Sequence, residues 1–124
     1  MILCDTNILI EFYKNNIAII QELHQIGSQN LAISVITRAE LYYGAINKNE
    51  LNRIQKHLDL LQNIHIDPPI SEQFIQLMAN YSLSHKLTIP DALIAATALA
   101  NDLELYTLNI KDFRFIENLK LYHL

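Results

Sequence analysis

Apolar runs of three or four residues recur along the chain, and between them the apolar residues fall at helical spacing. That alternation limits the fold more than any other feature, because a short buried strand and an amphipathic helix must cover each other. Ile2-Leu3-Cys4 reads as a strand ending at Asp5, and Ile8, Leu9, Phe12 and Tyr13 then follow a helical period. Ile17 to Ile26 forms a second helix, with Ile19, Ile20, Leu23 and Ile26 on one face and Gly27 as its stop. Leu31-Ala32-Ile33 is the next strand. A helix from Thr37 uses Leu41, Ala45 and Ile46, and another uses Leu51, Ile54, Leu58 and Leu61. Ile64-His65-Ile66 reads as a strand halted by Pro68-Pro69, and Ser71 opens a long helix with Ile75, Met78 and Leu83 inward. Pro90 begins a helix rich in alanine, Leu103 to Tyr106 is a fourth strand, a helical turn follows around Asp112 to Ile116, and Leu119 to Leu124 closes as a last strand.

Strands alternating with helices imply parallel pairing, right-handed crossovers and helices on both sheet faces. The expectation is an α/β fold with a short parallel sheet of four to five strands, formed as a single domain over residues 1–124. With 2 Gly and 3 Pro in the chain, an all-β sandwich lacks the residues its turns require. Apolar residues at 51% against 18% charged exclude a disordered chain. The single Cys4 suits a reducing compartment, and the opening Met-Ile-Leu-Cys-Asp does not read as a secretory leader. The longest mainly apolar stretch, Ile89 to Ala100, is interrupted by Pro90 and Asp91 and is too short for a bilayer. A cytoplasmic protein without a membrane partner is expected.

The net charge of -4 argues against a passive nucleic-acid coat and directs attention to the acids. Asp5 ends the first strand, Glu40 lies in the opening turns of the helix after the second, and Asp91 starts the alanine-rich helix. Asn109 and Asp112 follow the fourth strand. In a parallel sheet such segments emerge at one edge, where the functional crevice of open α/β folds lies. Each acid also has a local explanation. Asp5 can cap a helix, Glu40 can close a capping box with Thr37, Asp91 can complement a helix dipole, and Asp112 can cap the last turn. Those explanations do not require the acids to share one end of one sheet. Two carboxylates about 5 Å apart, at an effective dielectric near 20, repel by roughly 3 kcal/mol, so a converged set takes up protons or a cation. Oxygen-only donors favour Mg2+ or Mn2+, and such a site suits metal-assisted phosphodiester hydrolysis.

Four segments carry a family resemblance: Leu3-Cys4-Asp5-Thr6-Asn7; Ser34-Val35-Ile36-Thr37-Arg38-Ala39-Glu40-Leu41 followed by Tyr43-Gly44; Ile89-Pro90-Asp91-Ala92-Leu93-Ile94-Ala95-Ala96; and Thr107-Leu108-Asn109-Ile110-Lys111-Asp112-Phe113. In this order and in a chain of this length, the sequence resembles the PIN-domain ribonucleases, and among them the VapC-type toxins of bacterial toxin–antitoxin pairs. The resemblance implies a three-layer α/β/α sandwich, a Mg2+-dependent (or Mn2+-dependent) endoribonuclease that uses a metal-activated water, a homodimer, and inhibition by a cognate antitoxin protein. It also implies that Asp5, Glu40 and Asp91 are the catalytic, metal-binding acids. Asn109 stands where some relatives have Asp, leaving Asp112 as a candidate for the missing charge. Thr6, Asn7 and Thr107 are expected to support the acids, and Arg38, Lys86, Lys111 and Arg114 to meet RNA phosphates. Tyr42 and Tyr43, with Phe12 and Tyr13, either pack in the core or line a groove for a partner among the helices between Ile17 and Leu61. Two rivals share the fold class. A receiver-like phosphoacceptor domain would use Asp67 as its acceptor, and a non-catalytic interaction module would use no metal at all.

Overall fold

Alternate residues of a strand point to opposite faces, and the sheet of this protein uses both. The computed structural model describes residues 1–123. Its strands are β1 (Ile2–Cys4), β2 (Leu31–Ser34), β3 (Gln62–Ile64) and β4 (Glu104–Tyr106), all parallel and ordered β3-β2-β1-β4. Leu3 is in register with Ala32 and Leu105, and all three face one apolar cluster. Cys4, Leu31 and Ile33 face the other. The first connection holds α1 (Thr6–Tyr13) and α2 (Ile17–Ile26), and the second holds α3 (Val35–Tyr43) and α4 (Lys48–Leu58). These four helices cover the face of Cys4 and Ile33. The third connection holds α5 (Pro68–Tyr81) and α6 (Ile89–Ala100), which cover the face of Leu3 and Leu105. Three layers follow, α/β/α. In α6 the side chains of Ala92, Ala95, Ala96 and Ala98 are fully buried, and their small size lets this helix approach the sheet and α5 closely.

After β3 the chain crosses back over the sheet and adds β4 beside β1. The strand order therefore reverses between β1 and β4, and in open α/β sheets the ligand crevice lies beyond the carboxyl ends of the strands at such a point. Asp5 follows β1 there and Thr107 follows β4.

Each α-helix begins behind an Asp, Asn, Ser or Thr whose side chain accepts a backbone N–H: Asp5, Asn16, Ser34, Asn47, Asp67 and Thr88. Gly27 ends α2 at a φ of 89°, a conformation that L side chains rarely adopt.

Several expectations are corrected. Helix α3 starts at Val35 behind Ser34, not at Thr37, and it ends at Tyr43, which leaves Ala45 and the exposed Ile46 beyond it. Leu61 is buried but lies past the end of α4. Strand β3 is Gln62–Ile64, so His65 and Ile66 fall outside it. Pro68 and Pro69 begin α5, because a proline in the first turn gives up only a donor that would be unpaired there. That shift changes the buried face: Ile70 and Leu77 point inward, whereas Ile75 and Leu83 are exposed. The segment expected as a last strand makes one parallel bridge, Leu121 to Leu105, with Leu105 N–H bonded to the Lys120 carbonyl and Tyr122 N–H to the Leu105 carbonyl, each at 2.8 Å. Leu124 lies outside the described residues. No helix among those described is long and apolar enough to cross a membrane.

Candidate metal and nuclease site

The site grows from the junction of β1 and β4. The Asp5 backbone N–H continues the ladder to the Tyr106 carbonyl at 2.9 Å, which fixes where its side chain leaves the sheet. One carboxylate oxygen of Asp5 accepts the Thr6 N–H at 2.7 Å and the other accepts the Thr107 hydroxyl at 2.7 Å. Thr107 in turn accepts from the Asn109 N–H at 3.0 Å and from Asn7 Nδ2 at 3.5 Å, while Asn7 Oδ1 accepts the Leu108 N–H at 3.3 Å. Asn7 and Thr107 thus lock the segment after β4 onto the start of α1.

Glu40 is held from the other side. Its Oε1 accepts the Thr6 hydroxyl at 2.7 Å, and Thr6 Oγ1 lies 3.0 Å from Thr37 Oγ1, which lies 3.4 Å from Ser34 Oγ. A hydroxyl carries one proton. With Thr6 donating to Glu40, Thr37 donates to Thr6 and Ser34 to Thr37, and Ser34 accepts the Thr37 N–H at 3.3 Å. The local explanation of Glu40 is therefore set aside: Ser34, not Thr37, caps α3, and Glu40 reaches across to α1. Neither Ser34 nor Thr37 was singled out from the sequence for this role, although Ser34-x-x-Thr37 has the spacing of a cap and the N–H it accepts.

Asp91 lies in the first turn of α6, where its N–H donates to the capping Thr88 hydroxyl at 3.3 Å. Helix α6 precedes β4 and runs back across the sheet, which brings its N-terminus to the edge that holds Asp5. Burial first, and then the charges of Asp5, Asp112 and Glu40, push the Asp91 carboxyl up to about 6 from an ordinary 3.8. Burial also raises Asp5, reinforced by Glu40 and Asp112 and opposed by its bonds from Thr107 and Thr6. Four acids from four segments thus act on one another. No Lys, Arg or His offsets them at Asp5 or Asp91. Asp112 sits exposed in a 3-10 turn over Ile110–Asp112 and caps nothing, and Asn109 begins that turn with no side-chain cap bond. Asp67 caps α5 through the Ile70 N–H at 3.0 Å and does not act on Asp5 or Asp91, so the receiver-like reading lacks its acceptor.

Among the described residues, no three His, Cys, Asp or Glu side chains stand close enough to enclose an ion by themselves. The donor set is all oxygen with surplus negative charge. That fits a hard cation that keeps several waters and is held through one or two carboxylates, rather than one caged by protein alone.

Of the expected phosphate contacts, Lys86, Lys111 and Arg114 are exposed on the segments next to Asp91 and Asp112. Arg38 is engaged otherwise. Its guanidinium donates to the Tyr42 hydroxyl at 2.7 Å, to Asn63 Oδ1 at 2.7 Å and to Asp59 Oδ1 at 2.6 Å, which ties α3 to the end of α4 and to β3. Behind the acids, Cys4 is fully buried, and burial pushes its thiol up to about 12, so it is inert. Phe12 and Tyr13 line a groove between α1, α3 and α4, with Leu41 and Ile54 as further apolar lining, Arg53 beside them, and Glu40 where the groove reaches the acids. Tyr42 is half-buried on Arg38, and Tyr43 is exposed.

The chain is similar to known proteins in sequence and fold. The PIN domain family model matches residues 2–117. Ribonuclease VapC10 of Mycobacterium tuberculosis is 34% identical over 97% of this chain and 91% of its own length. Among solved structures, a toxin–antitoxin complex from Klebsiella pneumoniae contains a chain 36% identical with a TM-score of 0.83, each chain covered in full. VapBC2 from Rickettsia felis, bound to a DNA fragment from its promoter, contains one 31% identical with a TM-score of 0.79 over 98% of both chains.

Proposed function

This chain belongs to the PIN-domain family, and from that premise we propose that it is a Mg2+-dependent endoribonuclease acting as the toxin of a toxin–antitoxin pair. The observation that carries the reading is the convergence of Asp5 and Asp91 at the carboxyl edge of the sheet, with Glu40 and Asp112 adding to the charge on them and no cationic side chain offsetting it. A divalent ion held there by Asp5 and Asp91 would offset the acids' charge and would supply the Lewis acidity that water activation and phosphate polarisation need. Asp5 and Asp91 are assigned to hold it, with Glu40 acting on it through a water. Asp112 supplies the negative charge that Asn109 lacks. Thr6 holds Glu40, Thr107 holds Asp5, and Asn7 keeps both segments together. Lys86, Lys111 and Arg114 receive the RNA backbone, whereas Arg38 is assigned to the scaffold. The names of the relatives support an antitoxin as a partner, and the groove of Phe12, Tyr13 and Ile54 that opens at Glu40 is assigned to it.

The test is cleavage of single-stranded RNA in Mg2+ or Mn2+. Asp91→Asn and Asp5→Asn are expected to lose cleavage by more than about a hundredfold, and EDTA to stop the wild type. Full activity in Asp91→Asn overturns the assignment.

A further inference from the structure

Two segments run side by side from the acids. Asp91 and Asp112 repel one another across the site. Upstream of Asp91, the His85 imidazole lies flat on the ring of Phe115, which follows Asp112: the centroids are 4.1 Å apart and the planes are inclined by 13°. Tyr81 meets both edge-on, 5.1 Å from Phe115 and 5.7 Å from His85. Tyr81 and Phe115 are anchored, since both pack on the core beneath and the Tyr81 hydroxyl accepts the Glu117 N–H at 3.3 Å. His85 is different. It is exposed, its Nδ1 meets the Ser84 hydroxyl at 2.8 Å, and neither the core nor the acid cluster uses it. Lys86 follows at a φ of 54°, unusual for a non-glycine residue, and Lys86 and Arg114, next in sequence to His85 and Phe115, are both exposed.

A flat ring backed by a second ring and flanked by cations matches the chemistry of single-stranded nucleic acid. Bases stack on aromatic rings, and Lys or Arg track the phosphates. A cationic ligand is disfavoured by Lys86 and Arg114, and an acidic peptide has no use for the flat ring. At a net charge of -4 the protein lacks a broad basic face, so an uncharged source of affinity matters more here than in a basic nuclease.

We propose that His85, stacked on Phe115, is a base-stacking subsite for single-stranded RNA, with Lys86 and Arg114 holding the adjoining phosphates. The proposal rests on the ribonuclease reading above and adds to it a surface that grips a base on the segments that lead to Asp91 and away from Asp112.

The experiment is steady-state cleavage of a single-stranded oligoribonucleotide, selected from a mixed-sequence pool as one the wild type cuts. His85→Ala is expected to raise KM about tenfold with kcat unchanged, and His85→Trp to restore KM, because stacking needs a ring rather than an imidazole. The dependence of log KM on log salt stays as in the wild type for His85→Ala, and it flattens by about 0.7 for Lys86→Ala or Arg114→Ala, as loss of one phosphate contact requires. Unchanged KM in His85→Ala, while the wild type cleaves, overturns the subsite alone. Equal losses in His85→Ala and His85→Trp overturn it too. A wild type that cuts nothing in the pool with Mg2+ or Mn2+ overturns the ribonuclease reading and the subsite together.

Discussion

Asp91 carries the sharpest electrostatic consequence of the structure. Its carboxyl is pushed up to about 6, so the folded, metal-free protein holds a proton there more tightly than the unfolded chain does. The resulting stabilisation is fully present below about pH 4 and is lost as pH rises through 6. Solvent reaches this partly exposed group, which reduces an unscreened figure of roughly 3 kcal/mol to about 1 kcal/mol. In EDTA, the melting temperature is expected to fall between pH 4 and 6.5, and Asp91→Asn to remove most of that fall while melting roughly 3 °C higher at pH 7. A flat wild-type profile contradicts the repulsion. Thr6 offers a second test. Thr6→Val leaves one oxygen of Glu40 without its donor and is expected to lower kcat at least tenfold and stability by about 1 kcal/mol, with Thr6→Ser close to the wild type in both. The acids and Thr6 were legible in the sequence because charged groups at strand ends are few. Thr37 was not, because its spacing to Glu40 imitates a capping box that the chain does not form.

The elements are joined by polar ties as well as by apolar faces. Arg38 links α3, which carries Glu40 and Thr37, to the end of α4 and to β3. Arg38→Ala is expected to cost about 1–2 kcal/mol in urea unfolding and to leave RNA affinity unchanged; a normal melt with weakened RNA binding restores Arg38 as a phosphate contact. Asp67→Ala removes the cap of α5 and is expected to cost about 1 kcal/mol without affecting cleavage. Helix α2 was legible end to end, since a clean amphipathic run from Ile17 stops at Gly27. Helix α5 was misread at its start because Pro68-Pro69 suits the end of a strand as well as the first turn of a helix, and the frame of its buried face moved with that choice.

For the molecule as a whole, the reversal of strand order places the site, and alternating strands and helices were enough to foresee a parallel α/β sheet. They could not reveal which side of β1 receives β4, since pairing across so many residues depends on how α5 and α6 pack rather than on any local pattern. The terminal segment misled for a related reason: Leu119 to Leu121 is apolar enough for a strand, but it lies beside only the short edge strand β4 and forms a single bridge. A homodimer and a bound antitoxin remain expectations of the family reading. Sedimentation is expected to show a particle of two chains, and a co-purified antitoxin to suppress cleavage.

The bond between Asp5 and Thr107 joins opposite ends of the chain, 102 residues apart. The Asp5 carboxylate therefore has no seat until β4 and the loop after it have been made and paired with β1. A chain interrupted before Thr107 lacks one of the two donors that hold this carboxylate, so the site is completed only late in folding.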